Sequence, residues 1–277
     1  MTRRMTRLSG DQVRTGVKHG LARCAGRRPA PGATVLIYHR IGGGTRDELD
    51  LPADRFARQL DMLGALPTGT VVSLDTALDR LDAADRTPSV VLTFDDGFAD
   101  VHANAWPLLR DRGLPFTLYL ASGMVGGTMH WEGSTGTSSG APALTWDQLA
   151  EMQDSGLLTI GNHTRSHARP EALTEDELDA ASDDIDKNLG VRPDHFAYTW
   201  GVPVPAMEHA LRCRFRSAAT GTLGRNLPGT DPVRLNRVPV RRTDPTAFFG
   251  AKLTGNLGPE RAYAGVVRLG KKAGARA

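Results

Sequence analysis

Apolar positions along the chain recur in two periods, and the alternation between those periods predicts an α/β fold. Short apolar runs rich in β-formers, Thr34–Tyr38, Ser89–Phe94, Phe116–Leu120 and Leu157–Ile160, read as buried strands. Val71–Leu74, His195–Tyr198, Ser217–Thr220 and Leu235–Val240 are further strand candidates. Between these runs the spacing lengthens to that of a helix. In 53–66, Phe56, Leu60 and Leu63 share one face, and 75–84, 99–112, 145–155, 174–189 and 205–213 also read as helices. Thr174 and Glu177 have the spacing of a capping box, and the acids of 174–189 read as a solvated face. Strand and helix alternate throughout the body, which predicts parallel βαβ units and therefore a barrel or a doubly wound sheet. The Gly/Ser/Thr-rich stretch 123–143 predicts a long loop of the kind that carries function or moves.

The N-terminus differs. Met5, Leu8, Val13, Val17, Leu21 and Cys24 include a helical step, with Arg14, Lys18 and Arg23 between them. The pattern predicts either a basic amphipathic helix suited to anionic lipid or a frayed extension, since Gly10, Gly16 and Gly20 weaken it. The expected organisation is a basic extension over 1–30, a body over 31–255 and a basic tail over 256–277.

Composition sharpens this division. The 277 residues are 40% hydrophobic and 23% charged, which is ordinary globular usage. The formal net charge of +3 hides an asymmetry: residues 1–28 carry +7, 260–277 carry +4, and 29–259 are left with −8. An acidic body argues against a nucleic-acid partner, which needs a basic face. The two cysteines, Cys24 and Cys213, have no zinc spacing and lean towards a reducing compartment. No run approaches the roughly 20 apolar residues of a membrane span. No signal-type apolar segment is visible either, so the expected location is cytoplasmic or peripheral at the inner membrane face.

Candidate chemistry sits where strands end. His39 follows the first strand, Asp95-Asp96-Gly97 closes the 89–94 strand, and His163 and His167 follow the 157–160 strand. In a (β/α) barrel the C-terminal strand ends converge on one site. Two adjacent carboxylates resist joint ionisation when buried, and a divalent cation relieves that by taking one as ligand. Two imidazoles four residues apart can face the same cation, giving a His₂Asp set with positions open to water. Taken alone, Asp-Asp-Gly is also a common turn and each histidine an ordinary hydrogen-bonded residue.

Together these residues resemble a known family. Thr93-Phe-Asp-Asp-Gly97 and His163-Thr-Arg-Ser-His167 are similar to the first two motifs of the polysaccharide deacetylase (NodB-homology) family, carbohydrate esterase family four. Tyr38-His-Arg-Ile41, Phe196-Ala-Tyr-Thr-Trp-Gly201 and Leu235-Asn-Arg-Val-Pro-Val240 resemble further motifs of a bacterial branch that includes poly-N-acetylglucosamine deacetylases. The resemblance spans roughly 33–250. It implies a distorted (β/α)₇ barrel in a single domain and metal-dependent removal of an acyl group from a sugar. It implies Asp96, His163 and His167 as metal ligands, Asp95 as general base and His39 as the acid. Zinc is the expected ion, with cobalt, nickel or iron as alternatives. Trp131, Tyr198, Trp200 and Arg192 are candidate substrate contacts. The implied partner is an acetylated glycan, with peripheral contact to an anionic membrane or a lipid-linked glycan as a further expectation. Rival readings are a small-molecule amide hydrolase, a sugar deformylase, or a catalytically silent glycan-binding relative. The chain departs from the family twice: Ala197 stands near the position of an arginine that orients the base, and Leu235-Asn-Arg237 lacks the terminal-motif histidine.

Overall fold

Seven parallel strands close into a barrel in the order β1 (Ala33–Tyr38), β4 (Ser89–Asp96), β5 (Phe116–Leu120), β6 (Leu158–Asn162), β7 (His195–Ala197), β8 (Ser217–Leu223) and β9 (Leu235–Pro239), with β9 pairing back to β1. This is the (β/α)₇ architecture that the resemblance implies. A short pair, β2 (Arg40–Ile41) and β3 (Asp50–Leu51), lies in sequence between β1 and the helix that begins at Ala53. The computed structural model describes residues 9–22, 30–131, 133 and 140–274. Part of the expected loop over 123–143 therefore lies outside the described residues, as do Met5, Leu8 and Cys24.

The described residues form two units, one over Pro31–Arg242 and the other from the two chain ends, up to Ala30 and from Thr243 onward. In the first unit β1, β4 and β5 are buried along their whole length, as expected of parallel strands covered on both faces. Side chains alternate between the barrel interior and the helices. Val35, Val91, Tyr119, Ala197, Ala219 and Leu235 share one buried cluster that fills the interior. The opposite parity packs outward: Tyr38 and Phe94 stack at 5.2 Å, and Phe56 of α2 (Ala53–Gly64) meets both edge-on. Gly161 is needed in β6, because a Cβ there would stand 2.5 Å from the Tyr119 ring.

Val71–Leu74 is not a strand. Val71 makes one bridge to Val90, and Ser73 then caps α3 (Leu74–Asp82) by accepting from the Thr76 amide, so the chain turns into a helix early. The helix expected over 99–112 begins with a π-helical turn at Val101–Ala105 and continues as α4 (Trp106–Asp111). The remaining helices of this unit are α5 (Trp146–Asp154), α6 (Glu175–Leu189) and α7 (Glu208–Arg214). The N-terminal end of the barrel is tied by polar groups. His195 Nδ1 is 2.9 Å from Ser217 Oγ, His195 Nε2 is 3.3 Å from Asp75, and Arg216 binds Asp75 and Asp79.

The second unit joins α1 (Gly10–Ala22) to α8 (Thr246–Leu253) and α9 (Gly258–Gly274). The body expected to run to 255 thus ends at Arg242, and the extension and tail belong together. Their link is a buried ion network. Lys18 reaches Asp244 at 2.7 Å, Lys252 reaches the other Asp244 oxygen at 2.6 Å, and Lys252 lies 2.9 Å from Glu260. Lys18 therefore does not belong to a solvated basic face: it is fully buried, with its ammonium 4.5 Å from the Tyr263 ring. No helix among the described residues is long and apolar enough to cross a membrane.

Burial alone would raise the Asp244 pKa, but Lys252 and Lys18 outweigh it and hold the carboxyl below its ordinary 3.8. A depressed folded pKa contributes stability that is present above the unfolded value and lost as pH falls through the folded one. Asp244→Asn leaves two buried ammonium groups short of a partner and is expected to lower stability by about 3–5 kcal/mol at neutral pH. Urea unfolding of both proteins checks this, with the gap between them narrowing below pH about 4. A gap independent of pH would remove the ionic explanation.

Candidate metal and catalytic site

The site lies at the C-terminal ends of β1, β4, β6 and β9, where the barrel opens into a cavity of about 370 Å³. His39, Asp95, Asp96, Trp131, His163, His167, Trp200 and Arg237 all line it. The strand run Ser89–Asp96 delivers two carboxylates in succession, and strand parity would send them to opposite sides. Asp95 keeps the inward parity of Val91. Asp96 turns with φ 76°, a left-handed conformation that lets the adjacent carboxylate face the same cavity. Among the described residues, five non-glycine positions have positive φ, and Asp96, Thr164, His167 and Trp200 are four of them. Backbone strain is thus concentrated where the candidate chemistry is.

His163 and His167 converge on Asp96. Their Nε2 atoms lie 3.4 and 3.3 Å from its Oδ1. One donor atom from each of the three residues falls within 4.8 Å of the others, and all three side chains are buried. His163 Nδ1 is 2.8 Å from the Ala197 carbonyl, so that nitrogen donates there and Nε2 is the atom left to face Asp96 or a cation. This donor set fits a divalent cation of the zinc type, with three protein ligands and room for water. Without a cation, the two imidazoles hold the Asp96 carboxyl well below the usual range, although burial by itself would raise it.

The turn carrying both histidines is braced from α6. Asn162 donates to the Leu178 carbonyl and to Ser182 Oγ, and its own side-chain oxygen accepts from the Thr164 amide. Thr174 caps α6 as its spacing predicts, but Glu177 does not complete a capping box. Its carboxylate instead accepts from the amides of Arg165 and Ser166 and from Ser166 Oγ. One acid of the helix read as a solvated face therefore shapes the turn that carries His163 and His167.

Asp95 makes the interaction that sequence reasoning missed. Arg237, 1% exposed, grips it with two parallel bonds of 2.7 and 2.9 Å, and Arg237 Nε donates to the Thr220 carbonyl. Burial would raise the Asp95 pKa, but Arg237 first, then His163 and His39, outweigh it and keep the carboxyl below its ordinary value. With Ala197 near the position of the family's arginine, the arginine that pairs with Asp95 comes from β9, in the motif that lacks the terminal histidine. The available signal was the alternation Leu235, Arg237, Pro239, which places Arg237 on an inward position of the strand.

His39 stands one residue beyond β1, lines the cavity, and has a buried Nδ1 without a protein partner. Its loop is fixed by Asp100, which accepts from Arg40 and the Ile41 amide, and by Asp50, which accepts from the amides of Gly43 and Thr45. Trp131 lies over His167 at 4.3 Å, and Trp200, 46% exposed, meets the same ring at 5.7 Å. Two of the four expected substrate contacts are elsewhere. Tyr198 has the outward parity and is buried against Phe196 among α6 and α7 side chains. Arg192 is paired with Asp183 on the surface and borders a second cavity beside Asp75 and His195.

Residues 82–212 match the family model of polysaccharide deacetylases. YxkH of Bacillus subtilis (strain 168), which is named as a polysaccharide deacetylase, is 27% identical over 156 residues, covering 55% of this chain and 50% of that protein. The chain therefore spans about half the length of that relative. Among solved structures, IcaB from Ammonifex degensii superposes with a TM-score of 0.69 at 27% identity, over 83% of this chain and all of that one. BC0361, a polysaccharide deacetylase from Bacillus cereus, superposes with a TM-score of 0.67 at 21% identity, over 81% of this chain and 69% of that one.

Two measurements follow. Arg237→Met leaves a buried carboxylate unpaired and is expected to destabilise the fold by about 3–5 kcal/mol, whereas adding Asp95→Asn should recover part of the loss. Strict additivity in chemical denaturation would mean that the two residues are not coupled. In calorimetric zinc titrations, Asp96→Asn and His163→Ala should each weaken binding beyond the about 10–100-fold that loss of an outer partner costs. Undiminished zinc affinity in either variant would remove that residue from the ligand set.

Proposed function

We propose that this chain, whose residues 82–212 belong to the polysaccharide deacetylase family, hydrolyses the N-acetyl amide of an amino sugar in a polysaccharide, oligosaccharide or glycoconjugate precursor. One observation carries the reading: Asp95, kept ionised by a buried arginine, stands beside three ligand atoms gathered for a cation. A divalent ion held by Asp96, His163 and His167 would supply a water of lowered pKa and polarise the acyl carbonyl. Zinc suits the donor set best, ahead of cobalt, nickel or iron.

The protein's own residues divide the remaining work. Asp95 takes a proton from the attacking water as the water oxygen bonds to the acyl carbon. Arg237 orients Asp95 and keeps it unprotonated between turnovers. When the C–N bond breaks, the nitrogen must gain a proton, because an amide anion is a poor leaving group. His39, which lines the same cavity, supplies that proton. The products are acetate and a free amine. Trp131 and Trp200 flank His167 and offer apolar faces to a sugar ring. The cavity volume is in the range of small-ligand sites.

The test is acyl release from a panel of N-acetylated and N-formylated amino sugars, from monomers to polymers, with and without chelator. Acetate that disappears with the chelator supports the reading. Formate as the sole product would move it to a deformylase, and binding without release to a silent relative. In the same assay His39→Ala should lower turnover by about 10²–10⁴-fold with metal content unchanged. Wild-type turnover in that variant would transfer the acid role elsewhere.

A further inference from the structure

We propose that Asp100 and Asn104, on the segment that follows Asp95 and Asp96, are positioning residues for His39. The proposal rests on His39 as the acid of the reaction proposed above. The ladders of β1 stop short of His39. The last rung to β4 joins Tyr38 to Phe94, and the last rung to β9 joins Ile37 to Pro239. On its far side the His39 backbone is therefore set by whatever holds Arg40 and Ile41.

Those two residues form β2, and β3 covers one edge of it: the amides of Arg40 and Gly42 donate to the Leu49 and Leu51 carbonyls. Side chains take the other edge. Asp100 Oδ1 accepts from the Ile41 amide at 3.0 Å, and Asn104 Nδ2 donates to the Ile41 carbonyl at 2.7 Å. An acceptor and a donor thus stand where a neighbouring strand would offer them. The other Asp100 oxygen accepts from Arg40 Nε at 2.8 Å, and the Arg40 guanidinium lies 5.0 Å from the centre of the Phe98 ring. Arg40 is buried, so its charge depends on that carboxylate. Gly42, at φ 72°, lets the two segments close up: a Cβ there would stand 2.9 Å from Asn104 Nδ2.

The local helix geometry is unusual at this point. Asp100 precedes the π-helical turn Val101–Ala105 and Asn104 lies within it, and the Trp106 amide donates to the Val101 carbonyl five residues back. Such turns are rare and recur at functional sites. Here the two side chains reach both polar groups of a single residue. One stretch of chain therefore carries Asp95, Asp96 and the anchor of His39, which fixes the acid relative to the base across the cavity. Leu49, which lines the same cavity, is held through the same pairing.

The test combines turnover with a direct view of the ring. Asn104→Ala should lower kcat by about 10–100-fold, with KM and zinc affinity unchanged, because a misplaced group loses rate without losing binding. Asp100→Ala should cost at least as much, and Asp100→Asn, which keeps an acceptor for the Ile41 amide, should restore part of the loss. In a His39→Ala background neither site should cost anything further. If Asp100→Ala does not fold, Asn104→Ala, which strands no charge, carries the comparison. In NMR spectra of the metal-free protein, the His39 ring signals should shift or broaden in each variant, while those of His195, at the opposite end of the barrel, stay in place. Three results would overturn the proposal: unchanged turnover in Asn104→Ala, an equal loss in the His39→Ala background, or unchanged His39 signals. If the wild type releases no acyl group, the proposed reaction fails, and the ring signals alone decide whether Asp100 and Asn104 place His39.

Discussion

The bond between Asp95 and Arg237 is the constraint around which the barrel interior is arranged. The two residues are 142 positions apart, on β4 and β9, which are the two neighbours of β1. Strands two apart in a sheet are separated by about 9–10 Å, a span that an arginine can bridge across the interior and a shorter side chain cannot. The pair therefore exists only when the sheet has closed through β1. Desolvating both charges is costly. It is offset here by two parallel hydrogen bonds and by the Thr220 carbonyl, so that every oxygen of the carboxylate and the Nε of the guanidinium have partners. Closure of the barrel and pairing of Asp95 are then one event.

The side of the site formed by Asp96, His163 and His167 is held by a different means. Asp96, His167 and Trp200 keep left-handed backbones that cost of order 1–3 kcal/mol each in an unconstrained chain. They persist because their neighbours leave no alternative. Asn162 and Glu177 pin the histidine turn to α6, and the Ala197 carbonyl fixes the ring of His163. Gly201 approaches Gly221 so closely that a Cβ on Gly201 would lie 2.7 Å from the Gly221 Cα, which seats the Trp200 turn against β8. Rigid strands supply Asp95 and Arg237, and strained turns carry the candidate ligand residues.

Much of this was legible in the sequence because its signals are local. Apolar runs bounded by turn residues mark β1, β4, β5 and β6, and the polar residues that follow them fall at one barrel mouth. The unread parts depend on distant partners. Arg237 looks like any strand arginine until β9 meets β1. Lys18 lies between valines in a pattern that reads as solvated, and only Asp244 makes it an interior residue. Tyr198 and Ala197 are neighbours of opposite parity, so the aromatic that reads as a sugar platform packs outward while the small residue faces in. Ser73 ended a strand reading because a cap outweighs two valines.

The union of the chain ends also fixes an order of events during synthesis. Lys18 and Asp244 are 226 positions apart. At a translation rate of about 5–20 residues per second, α1 leaves the ribosome some tens of seconds before its partner helices exist. Throughout that interval its lysine is hydrated and its unit cannot form, while the strands encoded between the two ends emerge in the order in which most of them pair. The unit that joins α1 to α8 and α9 therefore assembles only after every strand between Lys18 and Asp244 has been made.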